Sequence, residues 1–478
     1  MQAKLRLIIP IIILLLSSAV FAQRVDNSAN TRFLSNLEFF YKEIKDYYVN
    51  LEMKEDLYGF TWNQLYHKYR EEMISAKNES DFFRIISSFA SELNDKNCAV
   101  QYKARVSRVN IFKFSEGLYN PFNCRIIEGN VLIVNSTTKP DVSGKYIIAI
   151  NDVPIEEIIE KLSGVYKLFR TKTGTKKELV NRKRFIEYFQ LFRDTYPDTL
   201  EYKLKDYYSG EISTLKIGKN ANFMPPRPYE KPHVYLGFHY NKILPESEIL
   251  AGNIGYIRIP SFDANIKAVV ENFSKEVDLL SKQKVGGVII DLRWSKGNNE
   301  ALQELLSYFT TKSYTPFYFR FKDSFRFNDI LKQRNLYEDQ RYSRGNRKAE
   351  DGYSDWWQID VDPAVNKFLT EVPVVLLTNE LTSGEASLLA FEAAKRNNIS
   401  LIGEEFALEG HGLATPILFP DRMYYTRYSF RETVDAEFNT LENIIIQPDV
   451  SAVQTISDYK KGIDSQVNSA KNYLLKKK

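Results

Sequence analysis

Residues 372–396 read VPVVLLTNELTSGEASLLAFEAAKR, and the rest of the chain is organised around this stretch. Val372, Val374, Val375, Leu376 and Leu377 form a short apolar run suited to a central strand. Beyond it Ala386, Leu389, Ala390, Ala393 and Ala394 recur at helical spacing, so the segment predicts a buried strand, a tight turn and a helix. Thr382, Ser383 and Gly384 fall in the turn. There the first helical N–H groups are unpaired and the dipole favours negative charge, so a hydrolase could keep its serine at this point. The same residues carry a purely structural reading: Thr382 to Glu385 has the S/T-x-x-E form of a capping box, whose hydroxyl satisfies a helix N–H.

Outward from the turn, strand and helix alternate from Asn253 onward, the mark of an α/β core with largely parallel strands. Upstream, VGGVIIDLRW (285–294) reads as a second core strand, and Ile266, Val269, Val270, Phe273, Val277 and Leu280 lie on one helical stripe. Residues 322–365 read as a solvated insertion or lid, with Trp356 and Trp357 adjacent. The proline-dense stretch 221–232 reads as a linker and sets a boundary near 240. Before it, residues 107–240 are short strands and turns, and residues 23–106 are helical, with Phe33, Leu37, Phe40, Ile44 and Tyr47 on one face.

Residues 1–22 carry Lys4 and Arg6, an apolar run from Leu7 to Leu16, and small residues ahead of Gln23. This is the pattern of a secretory signal cleaved near Ala22, which predicts an exported, periplasmic or extracellular protein with no membrane span after cleavage. The formal net charge is +4, and the signal contributes two of those charges, so there is no global electrostatic case for nucleic acid. Cys98 and Cys124 are the only cysteines, too few for a disulfide framework or zinc cluster, and their pairing is left open. No cofactor is called for.

The segment 378–387 resembles the nucleophile turn of the tail-specific, or C-terminal-processing, serine peptidases, whose strand ends in V-x-T/N before S/T-x-S-A-x-E. Laid on that pattern without a gap, Thr382 falls on the first hydroxyl residue and Gly384 on the position of the nucleophilic serine. DLRWSKGN (291–298) resembles the family's D-L-R-x-N-x-G-G loop, so the resemblance implies an oxyanion hole built from backbone at Gly297 and Glu385. In DFFRIISSFASELNDKNCAV (81–100) Asp95 matches the L-x-D-G-H pattern, and Lys96 and Asn97 replace its glycine and histidine. Glu409 stands where members with a lysine base keep that lysine, and Glu442 aligns with an accessory carboxylate of the tricorn-like subgroup. His411, between two glycines, is the other base candidate near the turn, and its plainer reading is a solvated loop residue. GKYIIAINDVPIEEIIEKL (144–162) resembles a PDZ-like module, a fold that binds chain ends by strand addition.

The resemblance implies an α/β, ClpP/crotonase-like peptidase core over 241–478, preceded by the N-terminal helical domain and the PDZ-like β-rich module. Two functions stay open. With Gly384, Glu409 and Asn97 at the nucleophile, lysine and histidine positions, the favoured one is a catalytically impaired homologue that binds unfolded or C-terminal peptide segments. The alternative is an active serine endopeptidase with a shifted nucleophile: Ser383, or Ser387 one turn into the helix.

Overall fold

The computed structural model describes residues 30–102, 121–168, 171–182, 184–193, 197–218, 244–262, 265–297, 301–322, 342–344, 352–412, 414 and 416–477. The signal segment, the 221–232 linker and much of the 322–365 insertion lie outside them.

The apolar run at 374–378 becomes the third strand of a six-stranded sheet, in the order Val450–Ser451, Ile399–Gly403, Val374–Thr378, Val288–Asp291, Ile254–Arg258, Glu246–Leu250. All neighbours are parallel except Glu246–Leu250, which runs antiparallel along Ile254–Arg258. Alternation along the central strands gives the sheet two apolar faces. Val375 and Leu377 join Tyr256, Ile289 and Ile402 beneath Ala470 and Leu474 of the helix Ser465–Lys477. Val374 and Leu376 face the opposite layer, with Val269, Phe273, Val277 and Leu280 of Ile266–Lys282 and Ala386, Leu389 and Ala390 of Glu385–Ala393. A parallel sheet covered on both sides is what a continuous apolar strand demands.

Residues 122–218 form a second, antiparallel sheet, in the order Phe122–Ile127, Asn130–Ser136, Lys145–Ile150, Thr199–Asp206, Ile212–Gly218. The amphipathic helix Ile155–Val165 buries Ile155, Ile158, Ile159 and Leu162 against it. The N-terminal helices, 30–47 and then Leu51–Tyr58, Trp62–Ile74 and Glu79–Ser91, enclose an aromatic core in which Trp62 stacks on Phe89 at 4.1 Å.

One pairing joins distant parts of the chain. Ala99–Tyr102 runs antiparallel to Tyr424–Arg427, with Ala99 opposite Arg427, so the segment after the N-terminal helices is stitched into the far end of the core. Phe82 and Phe83 pack on Tyr424 in the same seam. Part of the expected lid is structural instead: Trp357–Val361 pairs with Tyr314–Phe321, and Trp356 is buried, because its aromatic residues have apolar partners there.

Candidate active site

The turn is held by its own polar groups. Thr382 Oγ1 donates to Leu292 O at 3.0 Å and accepts from Asn379 N, and Asn379 Oδ1 accepts from Trp294 N at 3.0 Å. These bonds fasten the end of Val374–Thr378 to the loop that follows Val288–Asp291. That loop is fixed in turn by Arg293, a buried guanidinium clamped between Asp291 and Asp464 at 2.6 and 2.9 Å. No capping box forms. The helix Glu385–Ala393 has Gly384 as its N-cap, with φ 63° and ψ −139°, and no side chain caps it. Glycine adopts this conformation without strain, whereas a residue with a side chain would be strained there.

Ser383, only 1 % exposed, is thereby released from capping, and its Oγ accepts a hydrogen bond from Lys96 Nζ. This contact joins residues 287 positions apart. Burial pushes the Lys96 ammonium down to about 8; the charges of Glu178 and Glu409 work against that shift, and Lys296 and Arg182 add to it. Lys96, Ser383, Gly384, Gly297 and Gly410 line a cleft of about 210 Å³ that runs between the core and the residues around Tyr166 and Arg184. A serine hydrogen-bonded to a lysine that deprotonates near neutral pH has the composition of a nucleophile with its base.

The other candidates fall elsewhere. Asn97 also lines the cleft, but its amide donates to Gly412 O at 3.0 Å and Ser429 Oγ at 3.2 Å, holding the 410–412 turn. Ser387 turns back on its own helix, donating to Gly384 O at 2.7 Å. Glu409 is buried and presents its backbone carbonyl to Gly384 N at 2.8 Å. The N–H of Glu385 donates to Gly297 O at 3.0 Å and that of Ser383 to Ser295 O at 3.1 Å. All three amides of the turn are therefore occupied by main-chain carbonyls.

Behind the turn lies a second polar cluster. His411 is not a solvated loop residue: it is 1 % exposed, with Nε2 3.3 Å from Glu442 Oε2. Lys54, fully buried, reaches the other oxygen of Glu442 at 3.4 Å. Burial raises Glu442 to about 8 despite Lys54, helped by the negative charges of Asp95 and Glu409, and it lowers His411 to about 3. Asp95 accepts from Tyr48 and Ser429 at 2.8 and 3.2 Å, which ties this cluster to Asn97 and the segment carrying Lys96.

Lys96 is the residue that sequence reasoning passed over. The available signal was a lysine beside Asp95 at the end of an apolar helix, in the segment where the family pattern places a base. Cys98 and Cys124 are buried free thiols.

Residues 253–452 match the family model described as Peptidase family S41. Over those residues the α/β core is similar to that family. No curated protein matches the chain. Among solved structures, that titled "Structure of mature CPAF complexed with lactacystin" is 14 % identical, covers 94 % of this chain and 99 % of its own, and has a TM-score of 0.69. The "cpaf s499a mutant" structure is 15 % identical, with 91 % and 95 % covered and a TM-score of 0.67. At such identities the likeness shows the fold: a mixed α/β S41-like architecture with N-terminal helices and β-rich modules. Among the described residues, no helix is long and apolar enough to cross a membrane.

Proposed function

We propose that this S41 homologue is a serine-type endopeptidase in which Ser383 Oγ is the nucleophile and Lys96 Nζ its general base. The observation that carries the reading is the hydrogen bond between those two atoms at the wall of the cleft. With the lysine neutral the bond reverses, and Ser383 O–H donates to Nζ. Attack of Oγ on a peptide carbonyl then passes the proton to Lys96, which delivers it to the departing amine. Lys96, neutral again, takes a proton from water, whose attack cleaves the acyl-enzyme, and returns that proton to Ser383 Oγ. The tetrahedral oxyanion needs donors, and the nearest are the turn amides. Productive binding therefore includes turning aside the Gly297 carbonyl, at a residue whose φ of 122° is open to glycine, so that the Glu385 N–H faces the substrate.

The occupied amides favour a second reading: a homologue that holds unfolded or C-terminal peptide segments without cutting them. On either reading the 122–218 sheet serves as a PDZ-like module, the core is of the ClpP/crotonase class, and the charged and apolar start of the chain directs export. A fluorophosphonate probe separates the two. The peptidase reading expects covalent labelling of Ser383 and release of peptide fragments from an unfolded protein, whereas an unlabelled, inactive wild-type chain would overturn it.

A further inference from the structure

The cleft beside Ser383 carries far more positive than negative charge. Lys96, Arg182, Arg184, Lys296 and Arg427 line it, against the single carboxylate of Glu178. That carboxylate is already taken by Arg182 at 2.6 Å. Arg184 lies over the Tyr166 ring at 4.6 Å, which fixes its guanidinium as a planar face, and its nearest carboxylate, Glu187, is 3.6 Å away. The other two cations are less engaged. Lys296 is exposed, with no ion pair among the described residues. Arg427 is half-buried, yet its Nε is wholly buried and has no hydrogen-bond partner among the described residues. A buried donor left so is a cost that a bound acceptor relieves. Arg427 also stands opposite Ala99, on the strand paired with the segment that carries Lys96, so its position relative to the base is set by main-chain hydrogen bonds.

We infer that this cleft is a subsite for a substrate carboxylate, with Arg427 and Lys296 as its principal ligands and Arg184 at its rim. The inference rests on the cleft being where peptide binds, as the proposed function has it. Polypeptides offer that anion in two places, an Asp or Glu side chain near the scissile bond or the chain end itself. An arginine fork recognises both.

The test uses the full chain with Ser383→Ala, so that binding is read without turnover, and fluorescent peptides of one sequence in four forms: with Asp or Asn in the middle, each with a free or an amidated end. Fluorescence anisotropy should show at least one carboxylate form binding about tenfold more tightly than its amide counterpart, an advantage that shrinks at high salt. The arm in which it appears identifies the source. Arg427→Gln and, because Lys296 is exposed and its change spares the fold, Lys296→Gln should each bring the carboxylate-to-amide ratio towards one, while Arg427→Lys retains part of it. Equal binding of all four forms, no binding of any, or a ratio untouched in both glutamine variants would overturn the inference. The two proposals fail separately. Carboxylate-selective binding by a wild-type chain that does not cleave peptides would sink the peptidase reading alone, and cleavage with no carboxylate preference would sink the subsite alone.

Discussion

Two clusters of ionisable residues meet at the 409–411 turn, and they differ in access rather than in chemical type. The inner one holds a histidine beside a carboxylic acid, Lys54 and Asp95, all buried, and none of these four lines the cleft. The outer one holds a serine and a lysine at the wall of a cleft. Burial neutralises two of these groups: Glu442 keeps its proton and His411 gives its proton up. At Lys96 the same force yields a free amine near neutral pH, next to a hydroxyl. Desolvation makes a base only where a nucleophile is within reach.

The largest effect that would break the comparison is expected at Ser383. Ser383→Ala should lower turnover of an unfolded protein substrate by roughly 10⁴-fold or more, since a nucleophile and its base act as a unit. Removing the hydroxyl should leave stability almost unchanged, because no cap is lost. Undiminished cleavage by that variant would move the chemistry away from the turn.

Lys96→Met comes next, with a loss of roughly 10²–10⁴-fold, the usual worth of a positioned general base. For the wild type, kcat/KM should rise with pH through about 8 as the ammonium deprotonates. A flat profile between pH 6 and 9 would exclude Lys96 as the titrating base.

The inner cluster should answer in stability instead. Lys54→Met removes a buried donor to Glu442 and to Asn94 O and should cost about 1–3 kcal/mol in urea denaturation, less than a broken ion pair because Glu442 retains its proton. Turnover per folded molecule should change far less than in Lys96→Met. A loss as deep as that of the Lys96 variant would make the two clusters one machine.

The strand, turn and helix at 372–396 were legible because they depend on local pattern. The role of Gly384 was not, because capping-box spacing and a glycine N-cap look alike until the backbone φ is known. Lys96 was hidden for a different reason. Its partner is 287 residues away, brought near by the pairing of Ala99–Tyr102 with Tyr424–Arg427, and the low affinity for its proton arises from burial that no local pattern encodes. His411 between two glycines looked solvated, whereas its loop folds inward over Glu442.

The smallest expected effect is the most discriminating, because it sets the two clusters against each other in sign. Glu442 has a raised pKa, so the folded state binds its proton more tightly than the unfolded chain does. The stability this contributes is complete below the ordinary carboxylate pKa and is lost as pH rises through about 8. Lys96 has a lowered pKa, so the unfolded chain binds the extra proton and stability rises with pH from about 8 towards 10.5. Glu442→Gln keeps a neutral side chain of the same shape, and at pH 6 it should already be the more stable of the two, because part of the window between the ordinary carboxylate pKa and about 8 has been crossed. As pH climbs from 6 to about 8 the wild type should lose further stability that the glutamine variant keeps, and the difference should level off above 8, while Lys96→Met should flatten only the rise above pH 8. Urea midpoints measured from pH 6 to 10 test both arms. Parallel curves for wild type and Glu442→Gln would mean that Lys54 holds Glu442 as an ordinary carboxylate, and the inner cluster would then be an ion pair that differs from the outer one in burial alone.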